Sequence, residues 1–537
     1  MRRLLLNPIT WVVSICLLCF VQCQPAKTPA AATVPEGFQL EPGFSMELFA
    51  SEPLLADPVD MEIDEQGRLF VVEMPGYPLD LSRSGRIKQL LDTDGDGLPD
   101  KSILFADSLT LPTGIMRWKN GFLVTDAPDV LYLEDTDQDG KADKREVILT
   151  GFALSNPQHN FNNPIYGLDN WIYLANEYYI TTTHYAEQFG DKGSEIFFPK
   201  QPKGGRIASN GGDRNVRFKP ESFELEMLAA NSQYGHTFDP WGHHFQTSNA
   251  DPLFHEAIAA RYLQRNPDLM VADARQYLPE YDPAEVFPIT KSPEHQLLTD
   301  VGVVTSACGI EWYQGGQFPA LYDSVVFVLE PVHNLVIANV MHSKGATFSA
   351  SRMHERREFL ASEDSWFRPV NSYIGPDGSL YLLDYRRQII EHPEWMSDEV
   401  NNSGQLYNGS DQGRIYRIRS NGAQPQAWLD KLSLQRAQAD ELARYLDHSN
   451  IWWRRTAQRL LLDQQQNWDE TTLEALSDLV INAQHPAGRV HALWTLQGAG
   501  KLPPEVIRAA LTDPVAGVRE NAVKLAELQL AAHPQLL

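Results

Sequence analysis

Cysteine is scarce in this chain: four in 537 residues, and three of them (Cys16, Cys19 and Cys23) crowd the N-terminus. Past that stretch only Cys308 remains, so no disulfide can form within the mature chain and stability must come from core burial and ions. No Cys-x-x-Cys-His is present, which removes c-type haem attachment. No Gly-x-Gly-x-x-Gly follows a strand pattern and no Gly-x-Ser-x-Gly occurs, so nicotinamide-nucleotide and α/β-hydrolase chemistry have no support. Positive charge is also short. With 45 Lys and Arg against 70 Asp and Glu, the formal charge is −25. That balance argues against nucleic acid, whose phosphates need Lys and Arg, and suits an extracytoplasmic protein that holds divalent cations.

The one long apolar run, residues 9–21, follows Arg2-Arg3 and is too short for a comfortable membrane span. Cys23 comes next, then a Pro/Ala-rich tether over residues 24–39. Residues 1–23 resemble a bacterial lipoprotein signal. That likeness implies lipidation of Cys23, a membrane anchor and a place in the periplasm or on the cell surface. The Phe20-Val21-Gln22 before the cysteine departs from the usual pattern, and a plain cleaved signal or an uncleaved anchor stays open.

Two loops carry the densest chemistry. Asp92, Asp94, Asp96 and Asp100 form D-x-D-x-D-G-x-x-D, and Asp135, Asp137, Asp139 and Asp143 repeat it. The spacing places oxygens at loop positions 1, 3, 5 and 9, with glycine at 6 where the backbone must turn around a Ca²⁺ ion. Glu146 falls at position 12 of the second loop, where a bidentate carboxylate belongs; the first has Ile103 there. The flanks, Ile87–Leu91 and Val130–Leu133, read as strands rather than EF-hand helices. The alternative is a pair of Asp/Gly turns that bind nothing. Four carboxylates within nine residues repel one another without a cation, which favours structural calcium.

From about residue 40 to 420 one unit recurs: a turn bearing Gly or Asp-Gly, then a short aromatic or β-branched strand. Its copies begin at Asp64, Lys119, Gly167, Asp239, Leu321 and Gly375. Six such copies predict a six-bladed β-propeller, with residues 413–418 as the strand that closes the ring. Residues 178–203 and 255–299 read as insertions on a propeller face. From 425 to 537 the text turns Leu/Ala/Arg-rich with helical periodicity, and Arg454-x-x-Ala457, Arg489-x-x-Ala492 and Arg519-x-x-Ala522 repeat a step. This predicts a small all-α HEAT/armadillo-like domain, with a plain bundle as the alternative.

Residues 44–50, both Asp-rich loops, Gln158 to Pro164, Phe367-Arg-Pro-Val370 and Gly413 to Arg417 together resemble the bacterial membrane-bound dehydrogenase family. Its propeller is similar to quinoprotein glucose/sorbosone dehydrogenases and is followed by HEAT-like repeats. The resemblance implies oxidation of a sugar or other alcohol with pyrroloquinoline quinone (PQQ) as cofactor and a separate electron acceptor. It implies that His159 is the base that takes the hydroxyl proton, since an imidazole accepts protons near neutrality. Arg368 is a loose match for an arginine that polarises the quinone, while Asp384 and His392 line the same face. Ordinary blade packing is the alternative for each. Where the family reads Arg, this chain has Asn231, which removes a cationic clamp. His236, His243, His244 and His255, with His159 or His333, offer a transition-metal site as another reading. Two further functions remain open: a non-catalytic scaffold binding carbohydrate or protein, and a metal-dependent lactonase-like hydrolase.

Overall fold

The computed structural model describes residues 34–178, 185–266, 268, 274–290, 300–423 and 432–536. The expected export segment and Cys23 lie outside the described residues, as does most of the tether. Among the described residues no helix is long and apolar enough to cross a membrane.

Six antiparallel sheets form a six-bladed β-propeller. The innermost strands are Pro58–Ile63, Pro112–Trp118, Asn162–Tyr166, His236–Phe238, Cys308–Trp312 and Pro369–Ile374, and the sixth packs back onto the first. Each copy of the sequence unit is the turn between the first and second strands of one blade. The turns form because an Asp side chain folds back on the next main-chain N–H groups. Asp64 Oδ1 accepts from Gln66 N and Arg68 N, and Asp239 Oδ1 from Trp241 N and His243 N. Second strands such as Leu69–Glu73 and Val325–Glu330 are buried at every position, as strands packed on both faces must be.

The ring is closed jointly by the two ends of the propeller. Arg414–Ser420 is the third strand of the sixth blade, and Phe44–Ser51 from the N-terminal side adds the fourth. Phe38–Leu40 pairs with Leu360–Ser362 in the fifth blade, so one short stretch of chain stitches two blades. The insertions do not simply lie on a face. Glu195–Phe197 and Arg206–Ser209 widen the second sheet to six strands, and Arg275–Tyr277 is the outer strand of the fourth.

After the propeller, the helices Ala439–Tyr445, Ile451–Asp463, Glu470–Asn482, Pro486–Gly498, Pro504–Ala510 and Ala516–Gln529 stack as successive pairs. The repeated arginine acts alike in each pair. Arg454 donates to His448 O and Ser449 O, Arg489 to Ala483 O, and Arg519 to Asp513 O and Pro514 O. Each guanidinium thus ties its helix to carbonyls of the break before it.

This helical region sits on the face that carries all six turns. Arg459 bonds Glu65 at 2.8 Å and Asp463 pairs with Lys119 at 2.6 Å. Asn170 Nδ2 donates to Trp494 O, and Asn521 Nδ2 to Trp241 O. Ile451 N donates to Gln314 O, and Asn450 Nδ2 to Gly375 O. One end of the propeller axis is therefore covered, and the other remains open.

Candidate functional site

The open end is built from the loops that leave the outer strands and return to the axis. Ser155–Asn160 is one of them. Asn156 Oδ1 accepts from Gln158 N and caps the short turn Pro157–His159, which sets the His159 ring in place. His159 is 5% exposed and its Nδ1 lies 2.5 Å from Glu177 Oε2. A carboxylate there fixes the tautomer, so the proton sits on Nδ1 and Nε2 carries the lone pair. Among the described residues Nε2 makes no hydrogen bond.

Glu177 had no place in the sequence reading. Its signal was available: Ile172–Ala175 is a fully buried strand, and Asn176-Glu177 puts polar groups directly at its end. Both are buried, and Asn210 Nδ2 holds the Glu177 carbonyl.

His392 lies beside His159. It is fully buried, with its ring edge-on to Tyr185 at 5.5 Å and to Phe189 at 5.9 Å. Burial, with the nearby His159, pushes its pKa down to about 4, so the ring is neutral. Its Nδ1 accepts from Glu394 N at 3.3 Å, which puts the proton on Nε2, and that buried atom has no partner among the described residues. Gln158 Nε2 donates to Ile390 O at 3.0 Å and locks the two loops together.

Arg368 and Asp384 sit on the same face but point elsewhere. Arg368 is buried, and its guanidinium donates to four main-chain carbonyls: Arg387 O, Pro331 O, Val332 O and Gln388 O. Burial lowers its pKa to about 10. Asp384 Oδ1 accepts from Arg368 N at 2.7 Å and Arg386 N at 3.0 Å, while Oδ2 is buried without a partner. Burial raises this carboxyl to about 7. Together they brace the loop that carries His392.

Along the axis, between these loops, is a cavity of about 80 Å³ lined by Tyr77, Gln158, Gln233, Cys308, Val370 and Tyr385, among others. None of its lining residues is Lys or Arg. The volume is well below the ~300 Å³ of ordinary small-molecule pockets. PQQ is a flat, multiply charged quinone whose carboxylates need cationic partners. The nearby guanidinium groups of Arg368 and Arg387 are already bonded, Arg387 to Asp57 at 2.7 Å. The residues at this mouth therefore do not fit PQQ as they stand.

The four histidines of the fourth blade are gathered, but far along the chain from His159 and near the covered face. His236 Nε2 bonds Asn163 O at 2.7 Å, and its Nδ1 meets His244 Nε2 at 2.9 Å. His333 stands apart, with Nδ1 on Glu330 and Nε2 accepting from Gly302 N. Among the described residues, metal-type ligands gather in threes at two places only: Asp92, Asp94 and Asp100, and Asp135, Asp137 and Asp139. In each set the ligand atoms lie within 4.8 Å of one another.

These two loops join the third and fourth strands of the first and second blades. Thr93 Oγ1 donates to Asp100 Oδ2 at 2.7 Å and Thr136 Oγ1 to Asp143 Oδ2 at 2.6 Å, the same contact in both. Asp96 and Asp143 stand outside the gathered sets. Glu146 lies on the strand Lys144–Thr150 and pairs with Lys200, outside the gathered set and not as its twelfth-position ligand. Ile103, at position 12 of the first loop, instead packs against Gly140 of the second, and Ala142 N donates to Phe105 O. The loops thus abut across two blades.

A family model described as a domain of unknown function (DUF7133) matches residues 32–422. No curated protein matches the chain. Among solved structures, a PQQ-bound aldose sugar dehydrogenase from Streptomyces coelicolor is 12% identical, with a TM-score of 0.38, covering 71% of this chain and 100% of that chain. The PQQ domain of a pyranose dehydrogenase from Coprinopsis cinerea is 14% identical, with a TM-score of 0.38, covering 73% and 99%. A luciferin-regenerating enzyme is 10% identical, with a TM-score of 0.39, covering 72% and 98%. Likeness at this level says nothing of chemistry.

Proposed function

We propose, for a chain that belongs to the DUF7133 family, that the open face of the propeller takes a proton from a hydroxylic substrate, a sugar or other alcohol, as the first half of its oxidation. One observation carries this reading: His159 is held through Nδ1 by a buried carboxylate, and among the described residues nothing engages its Nε2. Such a carboxylate–imidazole pair is the usual construction of a general base. The substrate hydroxyl proton would pass to His159 Nε2, and Glu177 would stabilise the imidazolium. The hydride would pass to a quinone-type acceptor that enters as a second substrate, takes the proton back from His159 Nε2 and leaves as the quinol; nothing at the mouth favours PQQ as a resident group in that role. His392 Nε2, a buried N–H without an acceptor among the described residues, is placed to donate to a substrate oxygen beside His159.

We further infer that the two Asp-rich loops bind calcium, with Asp92, Asp94 and Asp100 and with Asp135, Asp137 and Asp139, and that the protein is exported and anchored through Cys23. The ions would brace adjoining blades and take no part in proton transfer. A second reading, a non-catalytic binding scaffold, is favoured by the small axial cavity and the fully engaged Arg368.

Dye-linked oxidation of a panel of sugars and alcohols by the full chain with Ca²⁺, with and without added PQQ, separates the two. The base reading expects turnover that His159→Gln and Glu177→Gln each reduce, the former by about 10²–10⁴-fold. Turnover unaffected by His159→Gln, or none with any acceptor, would leave the scaffold.

A further inference from the structure

At the seam between the fourth blade and the last helix lies a cleft of about 680 Å³, far from His159. That volume is within the ~300–1,000 Å³ of small-molecule sites. The cleft exists only because the two parts of the chain meet: Trp241 and His255 come from the propeller, and Gly517 and Glu520 from the helix Ala516–Gln529.

Its walls combine ring surface with balanced charge. Trp241, Tyr262 and Phe348 border it. Glu226, Glu256 and Glu520 are matched by Arg217, Arg261 and Lys524, and the charge that His243 adds to the lining is matched by Asp239 behind it. Neither an anion nor a cation gains much from such a lining.

The hydrogen-bonding capacity is not all used. His255 is 2% exposed and is clamped by Phe245, stacked on it at 5.1 Å, and by Thr347 Oγ1 at 3.1 Å from Nδ1. Its Nε2 has no hydrogen bond among the described residues. Burial drives its pKa down to about 3, so the ring stays neutral and can donate or accept. Glu256 Oε1 accepts from Ala229 N, but Oε2 has only a 3.4 Å contact from Gln246 Nε2 and another from His244. Behind them Gln246 is fully buried, with Oε1 unpartnered.

We propose that this cleft is a second binding site, for a neutral polyhydroxylated ligand such as a sugar unit, with the part of the Trp241 ring that Gly517 does not cover against its C–H surface and His255 and Glu256 on its hydroxyls. Hydroxyl groups both donate and accept, which matches a neutral imidazole next to a carboxylate. Stacking on aromatic faces needs no charge. The site is separate from the open face and does not depend on the base reading.

Calorimetric titration of the full chain with glucose, galactose, mannose, maltose and cellobiose tests it, run in the His159→Gln background alone and with His255→Ala or Ala346→Arg added, with melting curves as fold controls. Ala346 is exposed at the cleft rim, so its substitution fills the cleft without disturbing buried groups. The expected result is saturable binding of at least one probe in the His159→Gln background, weakened at least about tenfold when His255→Ala or Ala346→Arg is added to that background. No binding by any probe in that background, or binding there that Ala346→Arg leaves intact, would overturn the proposal.

Discussion

Arg387 and Asp57 are both fully buried, and the guanidinium Nε bonds Asp57 Oδ1 at 2.7 Å. Burial, the largest influence, raises Asp57 to about 7, and Arg387 is the partner that opposes it. Removing one member of such a pair leaves a charge without compensation, so Arg387→Ala should cost about 3–5 kcal/mol, read as a lower urea midpoint of the propeller. A change below about 1 kcal/mol would mean that water replaces the guanidinium. The same physics explains why arginines were hard to read from sequence. Arg368 shows its charge in the text but not the four carbonyls that occupy its donors. His159 was singled out only by the family resemblance of the segment from Gln158 to Pro164. Its partner Glu177 lies across a strand pair; the polar Asn176-Glu177 after an apolar strand marks the position, but no local spacing says which side chain the carboxylate meets.

At the scale of elements, the two Asp-rich loops give the sharpest test. With Ca²⁺ at about a hundredfold over its dissociation constant, a site present only in the folded state adds about 3 kcal/mol. Chelation should therefore lower the melting midpoint, and Asp94→Asn with Asp137→Asn should abolish that response. Glu146→Gln should leave it intact, because Glu146 is drawn off by Lys200. A melting midpoint indifferent to chelation would dismiss the ions. A second test concerns docking. A Cβ on Gly517 would lie 2.1 Å from the Trp241 ring, so Gly517→Val should loosen the helical region by about 1–3 kcal/mol, seen as a lower urea midpoint for its unfolding. The blade turns were legible because Asp-Gly chemistry and a period of two are local signals. The added strands Glu195–Phe197 and Arg206–Ser209 were not, since three or four residues carry too little pattern to register.

Across the whole molecule, the six turns that announce the blades are also the platform on which the helices rest, and that second use was invisible in sequence. A turn rich in Asp, Asn and Gly looks solvent-facing whether or not a helix covers it. The cover matters for function, since among the described residues the helices lie over one end of the axis and His159 and His392 lie at the other. It also creates a pH-sensitive tie. His243 Nδ1 bonds Asp239 Oδ2 at 2.6 Å on the propeller, and Nε2 bonds Glu520 Oε1 at 3.0 Å on the last helix. Burial opposes a charge on this ring, but its hydrogen bonds to the Asp239 and Glu520 carboxylates outweigh it and raise the pKa to about 9. Lys524, paired with Glu520 at 2.7 Å, and the neutral His255 are the other titratable groups close by. A raised histidine pKa stabilises the folded state fully below its ordinary value near 6.5, and that stability drains away as pH rises through about 9. The tie should thus contribute at most about 3 kcal/mol near pH 6 and little near pH 10. The urea midpoint of the wild type should fall across that interval more than that of His243→Gln, and the two curves should converge at the alkaline end. Parallel curves would show that His243 stays neutral between its two carboxylates.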